Sequence, residues 1–294
     1  MLKELEAYGL LAYDRSFKEM TTIKVGGAIK YYFEPNNMYG LTKAIEIIEA
    51  KQLAYKIIGN GSNLLCSNKD FDGVVIKLNN LNHFEVNDNI MYVEAGVPII
   101  VAANYAINNG LSGLEFATGI PALMGGIIYM NASAYNEAIS DVIESVLVYQ
   151  AGSLKWIDKA DLYFGYRESS FQTNKDWLIM AVNLKLEHAD SETLKALAID
   201  RNQRRFRTQP FEYPNCGSVF RNLSDKPVWK VIDEANLRGL QIGQAQISEK
   251  HSNFICNLGQ ASADDVNALI EKTISLAKEN DNIDLFLEVE RFNW

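Results

Sequence analysis

Apolar residues along this chain repeat sometimes every second position and sometimes every third or fourth, which predicts a mixed α+β protein. Residues 1–20 read as a surface helix and its exit. Residues 29–33 alternate as a strand and stop at Glu34-Pro35, and residues 55–58 form a second short strand. Between them Leu41, Ala44, Ile45 and Ile48 stand at helical spacing in residues 39–51. Three more strands are expected at 74–78, 83–86 and 91–95, after which Pro98 opens a helix that Gly110 stops. Strands at 141–150 and 177–187 precede a long helix, capped by Ser191, that runs to Thr208. A helix at 227–237 and short strands within 241–256 follow. Ser262-x-x-Asp265 then opens a helix whose Val266, Leu269, Ile270, Ile274 and Ala277 form one apolar stripe. The closing segment, 284–291, reads as a strand with Glu288 and Glu290 on one face. The pattern breaks near 188–191 and more softly near 55.

Composition narrows the class. With 294 residues, 48% hydrophobic and 22% charged, the chain has the make-up of a soluble globular protein of two or three domains. A net charge of −9 argues against a general nucleic-acid or anionic-membrane binder. The three cysteines are far apart and no C-x-x-C occurs, so neither zinc ligation nor a disulfide framework is suggested. The N-terminus is not a signal peptide, and no apolar run approaches the roughly 20 residues of a membrane span. A reducing cytoplasm is the expected compartment.

Two glycine-rich stretches carry the candidate chemistry. Residues 118–135 have almost no charge, and Gly119, Gly125 and Gly126 let backbone N–H groups approach a ligand closely. Pro121 suits the first turn of a short helix whose N–H groups would face an anion. A buried Gly-rich connection is the competing reading of this stretch. The second, Gly59-Asn60-Gly61-Ser62-Asn63, follows a strand and has the small polar make-up of an anion loop. It is not a Rossmann fingerprint, since Leu64 replaces the third glycine and Asn79 and Asn80 stand where an acidic residue belongs. Arg201, Arg204, Arg205 and Arg207 make the end of one helix basic, which taken alone describes a solvated face.

Nine short pieces, in order, resemble the UDP-N-acetylenolpyruvoylglucosamine reductases, flavoenzymes of peptidoglycan precursor synthesis. They are Thr22-x-x-Val25-Gly26-Gly27, Gly59-x-Gly61-Ser62-Asn63-Leu64-Leu65, Gly119-Ile120-Pro121 with Gly125-Gly126, Met130-Asn131-Ala132, Tyr166-Arg167-x-Ser169, Gln209-Pro210-x-Glu212-Tyr213-Pro214, Gly217-Ser218-Val219-Phe220, Lys250-His251 and Glu288-Val289. The resemblance implies an FAD-binding fold of the PCMH/vanillyl-alcohol-oxidase type in two subdomains, 1–56 and 57–188. A C-terminal α+β substrate-binding domain, 189–294, completes it. It implies non-covalent FAD, held by Gly59, Asn60, Gly61, Ser62 and Asn63 together with Thr118, Gly119, Ile120, Pro121, Gly125, Gly126, Asn131 and Ala132. On this reading two neutral, donor-rich loops bind the diphosphate without a lysine.

It further implies that NADPH reduces the flavin, which then reduces UDP-N-acetylglucosamine enolpyruvate. Arg167 and Glu288 would stabilise the enolate and Ser218 would deliver the proton, while Tyr166 and Arg205 would contact substrate. No metal, nucleic acid or membrane is implied, and a monomer is expected. The separations from Arg167 to Ser218 (218 − 167 = 51) and from Ser218 to Glu288 (288 − 218 = 70) are similar to those of the compact branch, which lacks the tyrosine-loop insertion. The chain departs from the family pattern at Ala122 and Ser133, where glycine is usual. It departs also at Ser252-Asn253 after Lys-His, at Phe286 and at Glu290. Rival readings are a flavin oxidase or dehydrogenase of another substrate, and a non-catalytic flavin or nucleotide-sugar module.

Overall fold

The computed structural model describes residues 2–294, which divide into two compact units. One comprises residues 2–13, Tyr31–Asn60 and Gly73–Arg204, and the other Asp14–Lys30, Gly61–Asp72 and Arg205–Trp294. Neither is one consecutive stretch. The first glycine loop is divided between them, Gly59-Asn60 going with the first unit and Gly61-Ser62-Asn63 with the second.

In the first unit a five-stranded antiparallel sheet has the order Ser153–Asp158, Ile143–Gln150, Leu178–Lys185, Ile90–Glu94, Phe84–Asn87. The Ser153–Asp158 strand escapes the sequence pattern because it lies at the sheet edge with a single buried residue, Ile157. The Tyr55–Ile58 strand pairs in parallel with Phe71–Lys77, setting Ile58 opposite Lys77. Helix Met38–Ala50 is capped by the Asn37 side chain, which accepts from Gly40 N, and buries Leu41, Ala44, Ile45 and Ile48. Helix Ile99–Asn108 has Pro98 as its cap and ends before Gly110, whose φ of +69° suits only glycine without strain. One continuous core, including Phe33, Phe116, Met124, Val146 and Phe171, serves all of these elements.

Two expectations fail here. Residues 1–20 are not one helix: a 3₁₀ turn, Lys3–Ala7, gives way to a strand, Gly9–Ser16, and then to the short helix Phe17–Met20. A Cβ at Gly9 would lie 2.2 Å from the Glu34 carbonyl oxygen, so the glycine allows a close backbone approach that pairing rewards and helix propensity does not foresee. Helix Ser191–Thr208 is capped by Asp190, whose carboxylate accepts from Thr193 N at 2.8 Å; Ser191 Oγ instead donates to the Ile107 carbonyl.

The second unit packs helix Ala263–Asp281 with a three-stranded antiparallel sheet, Gln241–Ile242, Ala245–Ile247 and Ile255–Asn257. The Ser262–Asp265 capping box forms as read, with Asp265 N donating to Ser262 Oγ and Ser262 N to Asp265 Oδ2. Val266, Leu269, Ile270 and Ala277 enter a separate core with Val219, Phe220, Val231 and Val289. The closing segment is not one long strand. Leu287 makes an antiparallel bridge to Phe220, and Glu290–Phe292 then pairs in parallel with Leu64–Cys66. The chain changes partner between them, so Glu288 lies ahead of the regular strand. No helix among the described residues is long and apolar enough to cross a membrane.

Candidate active site

In the first unit the two glycine stretches meet. The Tyr55–Ile58 strand delivers Gly59 and Asn60, and Asn60 Nδ2 donates to the Pro121 carbonyl at 3.0 Å. A Cβ at Gly59 would reach Leu123 at an ordinary 3.6 Å, while one at Gly126 would meet nothing within 4 Å. That open ground lets a bulky ligand approach the backbone closely at Gly126. Gly125 has a different task, since a Cβ there would crowd Ala95 Cβ at 3.2 Å. Thr118 is buried, its hydroxyl donating to the Glu115 carbonyl at 3.1 Å, with Asn202 Oδ1 at 3.4 Å. Ala122 is held through its backbone, N to Ile120 O and O from Ile99 N, so its methyl does not interrupt the turn.

The helix reading of this stretch needs correction. Helix Met124–Tyr129 begins three residues after Pro121, with Leu123 as its cap residue. Its first amides are already committed, Met124 N to Val97 O at 2.8 Å and Gly125 N to Ala95 O at 2.9 Å. Lys77, outside both glycine stretches, supports the first of them from a neighbouring strand. Lys77 is buried and its ammonium donates to the Gly59 carbonyl. Burial lowers its pKa from the ordinary lysine value. A lone lysine in the otherwise apolar run Val74-Val75-Ile76-Lys77-Leu78 was the available signal.

Arg167 sits on a two-residue hairpin between Phe164–Gly165 and Glu168–Ser169. Of its two turn residues only Arg167 takes a positive φ, +59°, a conformation in which glycine is preferred. An arginine held in that conformation carries backbone strain of the kind found at functional positions. Asn131 Nδ2 donates to the Gly165 carbonyl at 2.8 Å, and Asn131 Oδ1 accepts from Ser140 N at 3.2 Å. Ala132 is tied by its backbone to Ile127 and Ile139. Tyr166 is exposed, and the Arg167 guanidinium lies 5.1 Å from its ring centroid.

The second unit gathers Gly61, Asn63, Ser218 and Glu288. Gly61 has φ +64°, and a Cβ there would stand 2.3 Å from Met20 O, so only glycine fits. Asn63 Nδ2 donates to the Glu288 carbonyl at 3.0 Å, and Asn63 O accepts from Glu290 N at 2.9 Å. Glu288 N in turn donates to the carbonyl of Val219, the residue after Ser218, at 2.8 Å. Ser218 follows Gly217, which turns the chain with φ +77° and donates to Asn215 Oδ1. Arg205 is half-buried near the end of its helix, where its carbonyl accepts from Gln209 N. Cys216 offers no competing nucleophile, because burial pushes its thiol up to about 12.

Asn253, at a position where the family pattern has glycine, has a clear structural task. It is 4% exposed and clasps Phe220 from both sides, Oδ1 accepting from Phe220 N at 2.9 Å and Nδ2 donating to Phe220 O at 2.8 Å. Its own carbonyl accepts from Val219 N. Asn253 N also donates to His251 Nδ1 at 3.3 Å, which requires that nitrogen to be unprotonated. Burial first, and Arg238 second, lower the His251 pKa below 6.5, against a weaker opposing pull from Asp233. The native protein therefore binds fewer protons at His251 than the unfolded chain does. Its contribution is complete above 6.5 and is lost as pH falls through that value toward the lower native one. Thermal melts between about pH 7 and pH 5 are expected to show a flatter decline for His251→Gln than for the wild type; parallel declines would refute this.

A family model described as UDP-N-acetylenolpyruvoylglucosamine reductase, C-terminal domain, matches residues 209–292, and an FAD binding domain model matches residues 29–156. The UDP-N-acetylenolpyruvoylglucosamine reductase of Thermotoga maritima is 41% identical over 271 residues, covering 92% of this chain and 94% of that protein. A Bacillus anthracis relative, UDP-N-acetylenolpyruvoylglucosamine reductase 1, is 36% identical over 96% of this chain and 94% of its own length. The crystal structure of the Thermus caldophilus enzyme superposes with a TM-score of 0.83 at 30% identity, covering 97% of this chain and 99% of that one. With relatedness and fold agreeing over nearly the whole length, the chain belongs to the UDP-N-acetylenolpyruvoylglucosamine reductase family.

Proposed function

We propose that this protein reduces UDP-N-acetylglucosamine enolpyruvate to UDP-N-acetylmuramate, with NADPH as reductant and FAD as bound cofactor. The observation that carries the reading is the backbone tie from Glu288 N to Val219 O, with Asn63 bound to the Glu288 carbonyl. It brings the proposed proton donor, the proposed enolate stabiliser and one half of the cofactor loop into one small structure. Gly59 to Asn63, Thr118 to Pro121, Gly125, Gly126, Asn131 and Ala132 would hold the cofactor, whose chemistry is to take hydride from NADPH and give it up again. Gly126 is the best-fitting of these, since a Cβ there would meet only open space. The buried Lys77 fixes the Gly59 carbonyl through its side-chain nitrogen.

On the substrate, hydride adds to the terminal CH₂ carbon of the enolpyruvyl ether and makes it a methyl group. The electron pair of the double bond moves to the neighbouring carbon and into its carboxylate. Arg167 offers that charge a planar, permanently cationic fork. Glu288 would hydrogen-bond the developing dianion if it is held as a neutral acid. The Ser218 hydroxyl then donates its proton to the carbon next to the carboxylate, completing the lactyl ether. Tyr166 and Arg205 contact the sugar nucleotide.

The purified yellow protein is expected to bleach with NADPH under anaerobic conditions and to recover its colour on adding the enolpyruvyl substrate. Recovery with a simple aldehyde, and none with the enolpyruvyl ether, would assign it to another flavin chemistry. Running the bleaching step with NADH in parallel tests the nucleotide preference.

A further inference from the structure

We propose that the Ser133 hydroxyl is a positioning group for Arg167, fixing the plane of its guanidinium for the second half of the reaction. The inference rests on the role assigned above to Arg167. Ser133 accepts twice from that side chain, Arg167 Nη1 to Ser133 Oγ at 2.6 Å and Arg167 Nη2 to Ser133 O at 3.3 Å. Two contacts to two different nitrogens fix rotation about the end of a side chain that is otherwise rich in rotamers. Glycine, usual at this position in the family, keeps the carbonyl contact and lacks the shorter one.

Such a clamp works only if its own support is rigid, and Ser133 is well supported. It opens a tight hairpin, Ser133 opposite Ala138 and Ala134 opposite Glu137. The two turn residues, Tyr135 and Asn136, both have positive φ, +57° and +63°, as a type I′ turn demands. Tyrosine is an uncommon residue in that conformation, and its ring is pinned. Tyr135 OH donates to the Arg201 carbonyl at 3.0 Å, and the Arg201 guanidinium lies 4.8 Å from the ring centroid. Across the turn, Glu137 receives both terminal nitrogens of the buried Arg201.

The Arg167 hairpin is anchored independently. Asn131 holds the Gly165 carbonyl, Gln172 Nε2 donates to the Arg167 carbonyl at 3.0 Å, and Ser169 Oγ donates to the Tyr129 carbonyl at 2.7 Å. The side-chain bonds from Arg167 to Ser133 therefore link two small hairpins that are each bolted down elsewhere. Losing the Oγ contact loosens the plane of the guanidinium while the backbone stays in place.

The test uses the flavin-loaded enzyme and resolves the two half-reactions by stopped-flow absorbance. Ser133→Ala is expected to bleach with NADPH at the wild-type rate. Its recovery at saturating enolpyruvyl substrate should be slower by roughly tenfold, the effect of one charge-assisted hydrogen bond. Ser133→Thr restores the acceptor and should return recovery to within about threefold of wild type. In an Arg167→Ala background, Ser133→Ala should change recovery by less than about twofold, since the two groups act as one unit. Recovery by Ser133→Ala at or above the wild-type rate, or an undiminished effect in the Arg167→Ala background, overturns the inference and leaves the Arg167 role standing. Normal recovery by Arg167→Ala alone overturns both.

Discussion

Ser218→Ala is expected to yield a protein that stays yellow and bleaches with NADPH at the wild-type rate, yet recovers its colour with the enolpyruvyl substrate about 10²–10⁴-fold more slowly. The asymmetry follows from where the proton is needed. Reduction of the cofactor uses no proton from Ser218, whereas the second half-reaction ends by protonating a carbon. The substitution also leaves the scaffold intact. The turn before Ser218 is made by Gly217 at φ +77° with its N–H on Asn215 Oδ1, and the strand after it by Val219 N on Asn253 O. None of these involves the Ser218 hydroxyl. Cys216, two residues before it, is fully buried and does not take its place. Equal slowing of both half-reactions would make Ser218 a structural residue. Any rescue by solvent water is expected to go no further than the lower end of that range.

Helices were legible in the sequence where local chemistry fixed them. The Ser262–Asp265 box and the Pro98 to Gly110 helix carry their start and stop signals within themselves, and both formed as read. Strands were legible only where one face is buried. Ser153–Asp158, nearly all exposed, gave no alternation, and Gly9–Ser16 was hidden in text that favours helix until a partner strand is present. At the candidate site the resemblance named positions, and the structure shows which residues hydrogen-bond around them. Lys77 beneath Gly59, Ser133 on Arg167 and Asn253 around Phe220 are long-range contacts, and a single sequence does not encode which distant residue a polar side chain will meet. Each nevertheless left a trace. Lys77 is a charge in an apolar strand, and Ser133 and Asn253 are polar residues at positions where the family pattern has glycine. The misread amides of Met124 and Gly125 belong to the same class, since the carbonyls that take them lie about thirty residues upstream, on Val97 and Ala95.

Glu288→Ala should slow recovery by roughly 10²–10³, the usual cost of removing one group aimed at developing negative charge. Its backbone ties make this a clean experiment. Glu288 N binds Val219 O, and the Glu288 carbonyl binds Asn63 Nδ2, so the segment stays in place whichever side chain it bears. Glu288→Gln separates the two ways in which a carboxyl can act here. As a neutral acid, Glu288 donates a hydrogen bond to the dianion; a glutamine amide donates one as well, and recovery should then lie about tenfold or more above that of Glu288→Ala. As an ionised carboxylate, Glu288 only accepts, and the amide N–H of glutamine replaces none of that function. Recovery of Glu288→Gln no faster than that of Glu288→Ala therefore eliminates the neutral-acid role. It would move the enolate's stabilisation onto Arg167, where the slowing caused by Ser133→Ala should then be correspondingly larger.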